Sequence, residues 1–217
     1  MTGTSETAAR EAVVAAARGL HTLHLSAATS GNVSCRWDDG MLITPTAIPY
    51  NRTEPEDLVH VGVDGSVRAG RHRPSSEWRF HLAAYAARPD REAVVHCHST
   101  HATILACAHR GIPAFHYMVA MAGGDDIPCV PYAAFGTAEL AQGVSRGLAA
   151  RTACLLANHG QVAMGRDPAD ALDLAWIVED LARQYLGVLQ LGEVHLLDEA
   201  EMARVVGRFA EYRPPHR

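Results

Sequence analysis

The sequence predicts an α/β fold, a single sandwich with a mixed, mostly antiparallel sheet, as one domain over residues 1–217. Three observations predict it. Helix-period stretches alternate with short apolar runs. Two pairs of those runs are joined by Asp-Gly turns, a hairpin signal. Several connections are too short for the crossover that a parallel pair needs. No repeat, low-complexity tract or linker divides the 217 residues, a length that fits one large domain or two small ones.

The elements follow in order. TSETAAREAVVAAARGLHTL reads as an amphipathic helix capped by Ser5, with Ala8, Val13, Ala16 and Leu20 near one stripe. SAATSGNVSCRWDDGMLIT reads as loop, strand, tight turn at Asp38-Asp39-Gly40 and second strand, and EDLVHVGVDGSVR repeats the pattern around Val63-Asp64-Gly65. Ser75 or Ser76 caps a helix through EWRFHLAAYAAR, stopped by Pro89. EAVVHCHS is a short strand, and HATILACAHR a helix ended by Gly111. ACLLANHG and QVAMG form a strand pair with a polar corner. DPADALDLAWIVEDLARQYLGVLQL is the clearest helix, with Asp167 as cap and Pro168 at its first position. DEAEMARVVGRFAEY is a last amphipathic helix capped by Asp198.

All nineteen basic residues are arginine, and there is no lysine. That excludes a Schiff-base lysine nucleophile, a pyridoxal phosphate enzyme and a P-loop nucleotide site, each of which needs the amine. All-arginine usage also fits simple genome bias, and the exclusions hold either way. The net charge of −5 carries no basic footprint for nucleic acid. Mean hydropathy is −0.05, and the apolar runs are too short to span a membrane. No secretory signal is visible, and five cysteines without a CxxC pair suggest reduced thiols in a cytoplasmic protein.

Thirteen histidines are many for this length, and their placement points to chemistry. In VVHCHSTH, alternate strand residues share a face, so His96 and His98 point together and Cys97 points away. Their Cα atoms would lie about 6.6 Å apart, which suits two imidazoles converging on one metal. H-x-H alone is a modest signal. His159, in NHG after the apolar run CLLA, is either a turn histidine or a third ligand. Water or a carboxylate would complete a tetrahedral set, and Glu77 in PSSEWRFH is the carboxylate best placed; its alternative role is to complement a helix dipole. Three ordinary turn or cap pieces together could bind an anion without lysine. They are Ser75-Ser76 with the helix-start N–H groups, Ser30-Gly31-Asn32, and the two hydroxyls of TPTA over 44–47.

SGNVS, DGMLITPT, IPY, PSSEWRFH, VVHxH, IPAFHYMVAMAGG, IPCVPYAAFGT and NHG, in that order along nearly the whole chain, resemble the class II aldolase/adducin family. The resemblance implies a three-layer α/β/α sandwich and a cyclic C4 homotetramer with active sites between subunits. It implies a Zn²⁺ held by His96, His98 and His159, and Glu77 as acid/base and as a metal ligand when no substrate is bound. The phosphate site would use Asn32, Thr46, Ser75 and Ser76, with backbone help from Gly31 and Ala47. Tyr117 would reach in from the neighbouring subunit, and Phe135 and Tyr212 would line the aldehyde side.

The implied activity is reversible cleavage of a ketose 1-phosphate, first L-fuculose 1-phosphate, to dihydroxyacetone phosphate and L-lactaldehyde. Without a lysine amine, a Lewis-acid metal must stabilise the carbanion. Aldolases for 5-deoxyribulose or rhamnulose 1-phosphate would share metal, phosphate site and base. A 4-epimerase acting on L-ribulose 5-phosphate typically has lysine where this chain has Thr44, and lacks the SSEW and AMAGG motifs. A non-enzymatic adducin-like scaffold would have lost ligands that are intact here. This chain departs from the family at Ala47, where glycine is usual, so a positive φ there would be strained. Cys97 stands where an amide side chain is common, and the tail after Tyr212 is RPPHR.

Overall fold

A computed structural model describes residues 5–212. The first helix, α1 (Glu6–Thr22), is capped as expected, the Ser5 hydroxyl accepting from the Ala8 N–H. Its buried stripe starts at Ala9 rather than Ala8, because Ala9 stands one i,i+4 step before Val13. Two hairpins follow, β1 (Asn32–Trp37) with β2 (Gly40–Ile43) and β3 (Val59–Gly62) with β4 (Val67–Ala69). Trp37 pairs with Gly40, so the first turn closes on Asp38-Asp39, and Asp38 takes the positive φ of 48°. Gly40 answers a different need: an added Cβ would lie 2.0 Å from the Val61 carbonyl oxygen.

α2 (Trp78–Ala87) begins later than expected. Neither serine caps its first turn. Glu77 occupies the capping position without making a cap bond, and Ser75 Oγ accepts the Glu77 N–H at 3.3 Å. β5 (Ala93–Cys97) and α3 (Thr100–Cys107) follow. α3 stops at Ala108, with His109 in the left-handed region at φ 54°, and not at Gly111. Gly111 instead allows close approach to the Ile127 carbonyl.

β6 (Cys129–Val130) and α4 (Ala138–Leu148) lie where no element was expected. α4 has a regular start, Thr137 accepting from the Leu140 N–H, but two of its residues are glycines, which weaken the helical signal. Gly147 packs where a Cβ would meet Val130 at 2.7 Å. β7 (Ala153–Leu156), β8 (Gly160–Gly165), α5 (Pro168–Leu191) and α6 (Glu199–Tyr212) fall where predicted, with Asp167 and Asp198 as caps.

The eight strands form one sheet in the order β4-β3-β2-β1-β5-β8-β7-β6. Its pairs are antiparallel except β6 with β7, which α4 connects. α1, α3, α5 and α6 pack on one face and α2 with α4 on the other, giving three α/β/α layers. Alternation along β5 sets the site. Ala93, Val95 and Cys97 enter the core under α1, α3 and α5, while Val94 enters the core under α2. His96 therefore faces α2, where its ring meets Phe80 edge-on at 5.3 Å.

Candidate active site

Three strand ends bring the histidines together. His96 is in β5, His98 lies just past its end, and His159 occupies the corner between β7 and β8. The three rings stand 4.8–4.9 Å apart, centre to centre. One nitrogen from each lies within 4.8 Å of the others. Gly160 permits this approach: a Cβ there would come within 2.5 Å of the Cys97 carbonyl oxygen and 2.8 Å of the His98 ring. Cys97 points away into the opposite core, as the strand period requires.

Glu77 reaches the same point from the start of α2. Its Oε2 lies 3.2 Å from His96 Nε2, and its Oε1 lies 3.3 Å from His159 Nε2. Asn32 Nδ2 donates to Oε2 at 3.0 Å. Asn32 pairs with His96 across β1 and β5, which explains the contact. Burial raises the Glu77 carboxyl, but His96, His159 and the Asn32 amide outweigh it and hold it below the usual carboxylate range. Burial, and then His96, push the His98 and His159 imidazoles down to about 4, which keeps both neutral near pH 7.

His96 Nδ1 lies 2.8 Å from the Gln161 carbonyl oxygen. A carbonyl only accepts, so Nδ1 carries the proton and Nε2 presents its lone pair inward. Gln161 is itself fixed, donating to Ser99 Oγ at 2.7 Å and the Ala175 carbonyl at 3.0 Å. His96 Nε2 stands 3.0 Å from His98 Nε2. Glu77 Oε1 is buried and has no hydrogen-bond partner among the described residues. Inward lone pairs from imidazoles and a carboxylate converging this closely are a donor set that fits a divalent transition metal.

The anion pieces converge on a cavity of about 350 Å³ that ends on this cluster. Gly31, Asn32, Thr46, Ala47, Ser75 and Ser76 all line it, beside Glu77, His98 and His159. Among the described residues, no arginine lines it. Segments 44–47 and 73–76 meet because Pro45 and Pro74 form a bridge, with the Ser75 N–H donating to the Thr44 carbonyl and the Thr46 N–H to the Arg73 carbonyl. Gly31 sits at φ 96°, and a Cβ would meet His96 O and Ser26 Oγ at 2.7 Å, so only glycine fits. Tyr50, of the IPY motif, donates to the Ser30 carbonyl and holds that turn. Ala47 has φ 62°, so the strain expected for alanine there is present.

One anion donor is corrected. The Thr44 hydroxyl accepts the Val33 N–H at 3.1 Å and is buried, leaving Thr46 as the TPTA hydroxyl at the cavity. Phe135 lines the cavity, and so does Tyr132, which sequence reasoning missed although PYAAF places both in one loop. Asn158 was missed too; its φ of 53° shapes the corner that presents His159. Tyr117 does not line this cavity within one chain. It lies on a 3-10 turn, half exposed and stacked on Phe209 at 6.1 Å, beside a separate groove with Met118 and Met121. Tyr212 ends α6, and its side chain lies outside the described residues.

Fold and site define a class: α/β/α sandwiches with a three-imidazole, one-carboxylate cluster beside a cavity lined by hydroxyl groups and turns. The chain belongs to the class II aldolase and adducin family. The family profile described as "Class II Aldolase and Adducin N-terminal domain" matches residues 11–186. The chain is similar to a 5-methylthioribulose-1-phosphate/5-deoxyribulose-1-phosphate aldolase of Rhodospirillum rubrum, 49% identical over 208 residues, covering 96% of this chain and 94% of the relative. It is also similar to the L-fuculose phosphate aldolase of Escherichia coli K12, 48% identical over 191 residues and 88% of each chain. A solved L-fuculose 1-phosphate aldolase superposes with a TM-score of 0.89 at 35% identity, covering 93% of this chain and 96% of that one.

Proposed function

We propose that this protein is a class II aldolase that reversibly cleaves a ketose 1-phosphate to dihydroxyacetone phosphate and a short aldehyde. One observation carries the proposal. A lysine-free cavity joins an anion-binding end, built from hydroxyl and backbone donors, to three imidazoles and a carboxylate. His96, His98 and His159 would hold one Zn²⁺, with Glu77 as a fourth ligand before substrate enters. When bound, the metal would polarise the substrate carbonyl and serve as the electron sink that an iminium supplies in a lysine enzyme.

The chain's own groups do the rest. Ser75, Ser76, Thr46, Asn32 and the N–H groups of Gly31 and Ala47 hold the phosphate, and so place C1 to C3 against the cluster. In the synthetic direction Glu77 takes the proton from C3 of dihydroxyacetone phosphate, and in cleavage it returns it. Tyr117 from an adjacent copy exchanges the proton on the aldehyde oxygen, within a C4 tetramer. That Tyr117 lines a separate groove, and not the cavity of its own chain, supports that placement. Phe135 and Tyr212 meet the aldehyde.

L-Fuculose 1-phosphate, releasing L-lactaldehyde, is the first substrate proposed. The Rhodospirillum rubrum relative, matched over 96% of this chain, supports a second: 5-deoxyribulose 1-phosphate or its methylthio counterpart. A panel of ketose 1-phosphates, assayed for dihydroxyacetone phosphate release with and without chelator, tests both. Release that survives complete metal removal, or no release from any member, would end the proposal. The ratio of kcat/KM across the panel decides the aldehyde.

A further inference from the structure

Behind Glu77 lies a buried polar chain of which the proposed chemistry uses only Asn32. On α2, Glu77, His81 and Tyr85 follow at four-residue steps and share one stripe. On β1, Asn32 and Ser34 share the face toward α2. The two rows interlock. His81 Nε2 meets Asn32 Oδ1 at 2.5 Å, His81 Nδ1 meets Ser34 Oγ at 2.7 Å, and Ser34 Oγ meets Tyr85 OH at 2.7 Å. Ser34 and His81 are fully buried, and Asn32 and Tyr85 nearly so.

Donor and acceptor rules allow one direction through this chain. The Glu77 carboxylate only accepts, so the Asn32 group facing it is the NH₂ and the group facing His81 is the carbonyl oxygen. That oxygen only accepts, so His81 Nε2 carries a proton. Burial drives the His81 imidazole down to about 3, so the ring is neutral and Nδ1 accepts. Ser34 then donates to Nδ1, and Tyr85 donates to Ser34. Every proton points toward Glu77 Oε2, and Oε1 has no hydrogen bond among the described residues.

We infer that His81 is a positioning residue: by fixing the Asn32 amide with its NH₂ toward Glu77, it locks the carboxylate so that Oε1 is the oxygen free to move the substrate proton. Were the amide reversed, its oxygen would face the carboxylate and repel it. A ring that merely filled space would leave that repulsion as the only constraint on the amide, whereas the His81 Nε2–H adds a donor that only the carbonyl oxygen can accept. The inference rests on the aldolase activity proposed above, and its test separates the two.

Long-range ¹H–¹⁵N correlation NMR on the metal-loaded protein reads the His81 tautomer without any turnover. A proton on Nε2 with Nδ1 bare is expected, and a proton on Nδ1 overturns the inference. In kinetics, His81→Phe removes both hydrogen bonds and His81→Gln can restore one donor and one acceptor. His81→Phe should lower kcat between about 10- and 100-fold, with KM changed less than about threefold and metal content unchanged. His81→Gln should recover most of that loss. Unchanged kcat in His81→Phe, or equal losses in both variants, would overturn the inference. If His81→Phe does not fold, Ser34→Ala deletes the donor to Nδ1 and should give mixed tautomers with a smaller fall in kcat; a single Nε2–H tautomer with parental kcat overturns it. If the parent protein cleaves no ketose 1-phosphate, the aldolase proposal fails by itself. The tautomer, and a shift of the Asn32 side-chain NH₂ signals in His81→Phe, then still decide the positioning role.

Discussion

The two ends of the cavity are built by different means. At the histidine end, strand register does the placing: His96 faces α2 because Val94 does, and His159 arrives because β7 and β8 pair. His96 and Glu77 are buried, His98 and His159 partly so, and the His96 proton is dictated by a fixed partner, the Gln161 carbonyl. At the anion end, local backbone conformation does the placing. Gly31 and Ala47 adopt positive φ, Pro45 bridges Pro74, and donors come from turns. An error in register would destroy the first end, whereas a change of one φ preference only tunes the second.

This contrast ranks the consequences of mutation. His96→Ala should lose the bound metal, measured by elemental analysis, and with it about a thousandfold or more of the cleavage rate. Metal retained with near-parental turnover would remove His96 from the site. Glu77→Gln should keep the metal and lower kcat by about 10³, as expected for a missing general base. Near-parental activity in that variant would reduce Glu77 to a structural group. Tyr117→Phe should cost about 10² in kcat, again within the range for a proton-transfer group. Reassembly of mixed Tyr117→Phe and Glu77→Gln subunits should restore part of the rate, since some sites then draw intact residues from both chains. Mixtures no better than either parent variant would place Tyr117 outside the neighbouring site.

The anion end should respond more gently. Asp57 holds the segment before Ser75 through Arg71 at 2.5 Å and His72 at 3.0 Å. Burial raises the Asp57 carboxyl, but the Arg71, Glu54 backbone and His72 bonds bring it down to about 2. Its folded value lies below the unfolded 3.8, so the stabilisation is complete above about pH 4 and is lost as pH falls through about 2. Asp57→Asn should lower the melting temperature at pH 7 by about 2–4 °C, roughly 1 kcal/mol once solvent screening of exposed Arg71 is allowed for. The variant should also show a shallower acid transition, seen in thermal melts across pH. Ala47→Gly relieves a left-handed alanine but loosens the unfolded chain, so a net gain of about 0.5 kcal/mol, or 1–2 °C, is expected. A loss of stability would mean that φ 62° carries no strain at that residue.

Much of the site was legible as residue pattern. H-x-H at a strand exit, Glu77 after two serines and the ordered motifs pointed to residues that the structure brings together: three histidines, one carboxylate and the turn pieces beside them. What misled were signals with two physical causes. Gly40 and Gly111 read as turn and helix stop, yet both are needed for close backbone approach. Ser75 reads as a helix cap, yet its hydroxyl accepts the Glu77 N–H and the capping position falls two residues later, at Glu77. α4 was hidden by its two glycines, which pack against Val130 and Cys154 rather than break the helix. The Glu77-His81-Tyr85 spacing was also visible, but only a partner strand presenting Asn32 and Ser34 makes it a hydrogen-bond chain.

The sequence by itself determined that no lysine amine is available, the alternation that separates His96 from Cys97, and the caps of α1, α5 and α6. These depend on residue type and on neighbours within a few positions. Only the tertiary structure decided which Thr hydroxyl is free, that Tyr117 stands outside its own chain's cavity, and which way the protons run from Tyr85 to Glu77. Each of those depends on what a distant segment presents at under 4 Å, and donor–acceptor matching at that range is fixed by packing rather than by local pattern.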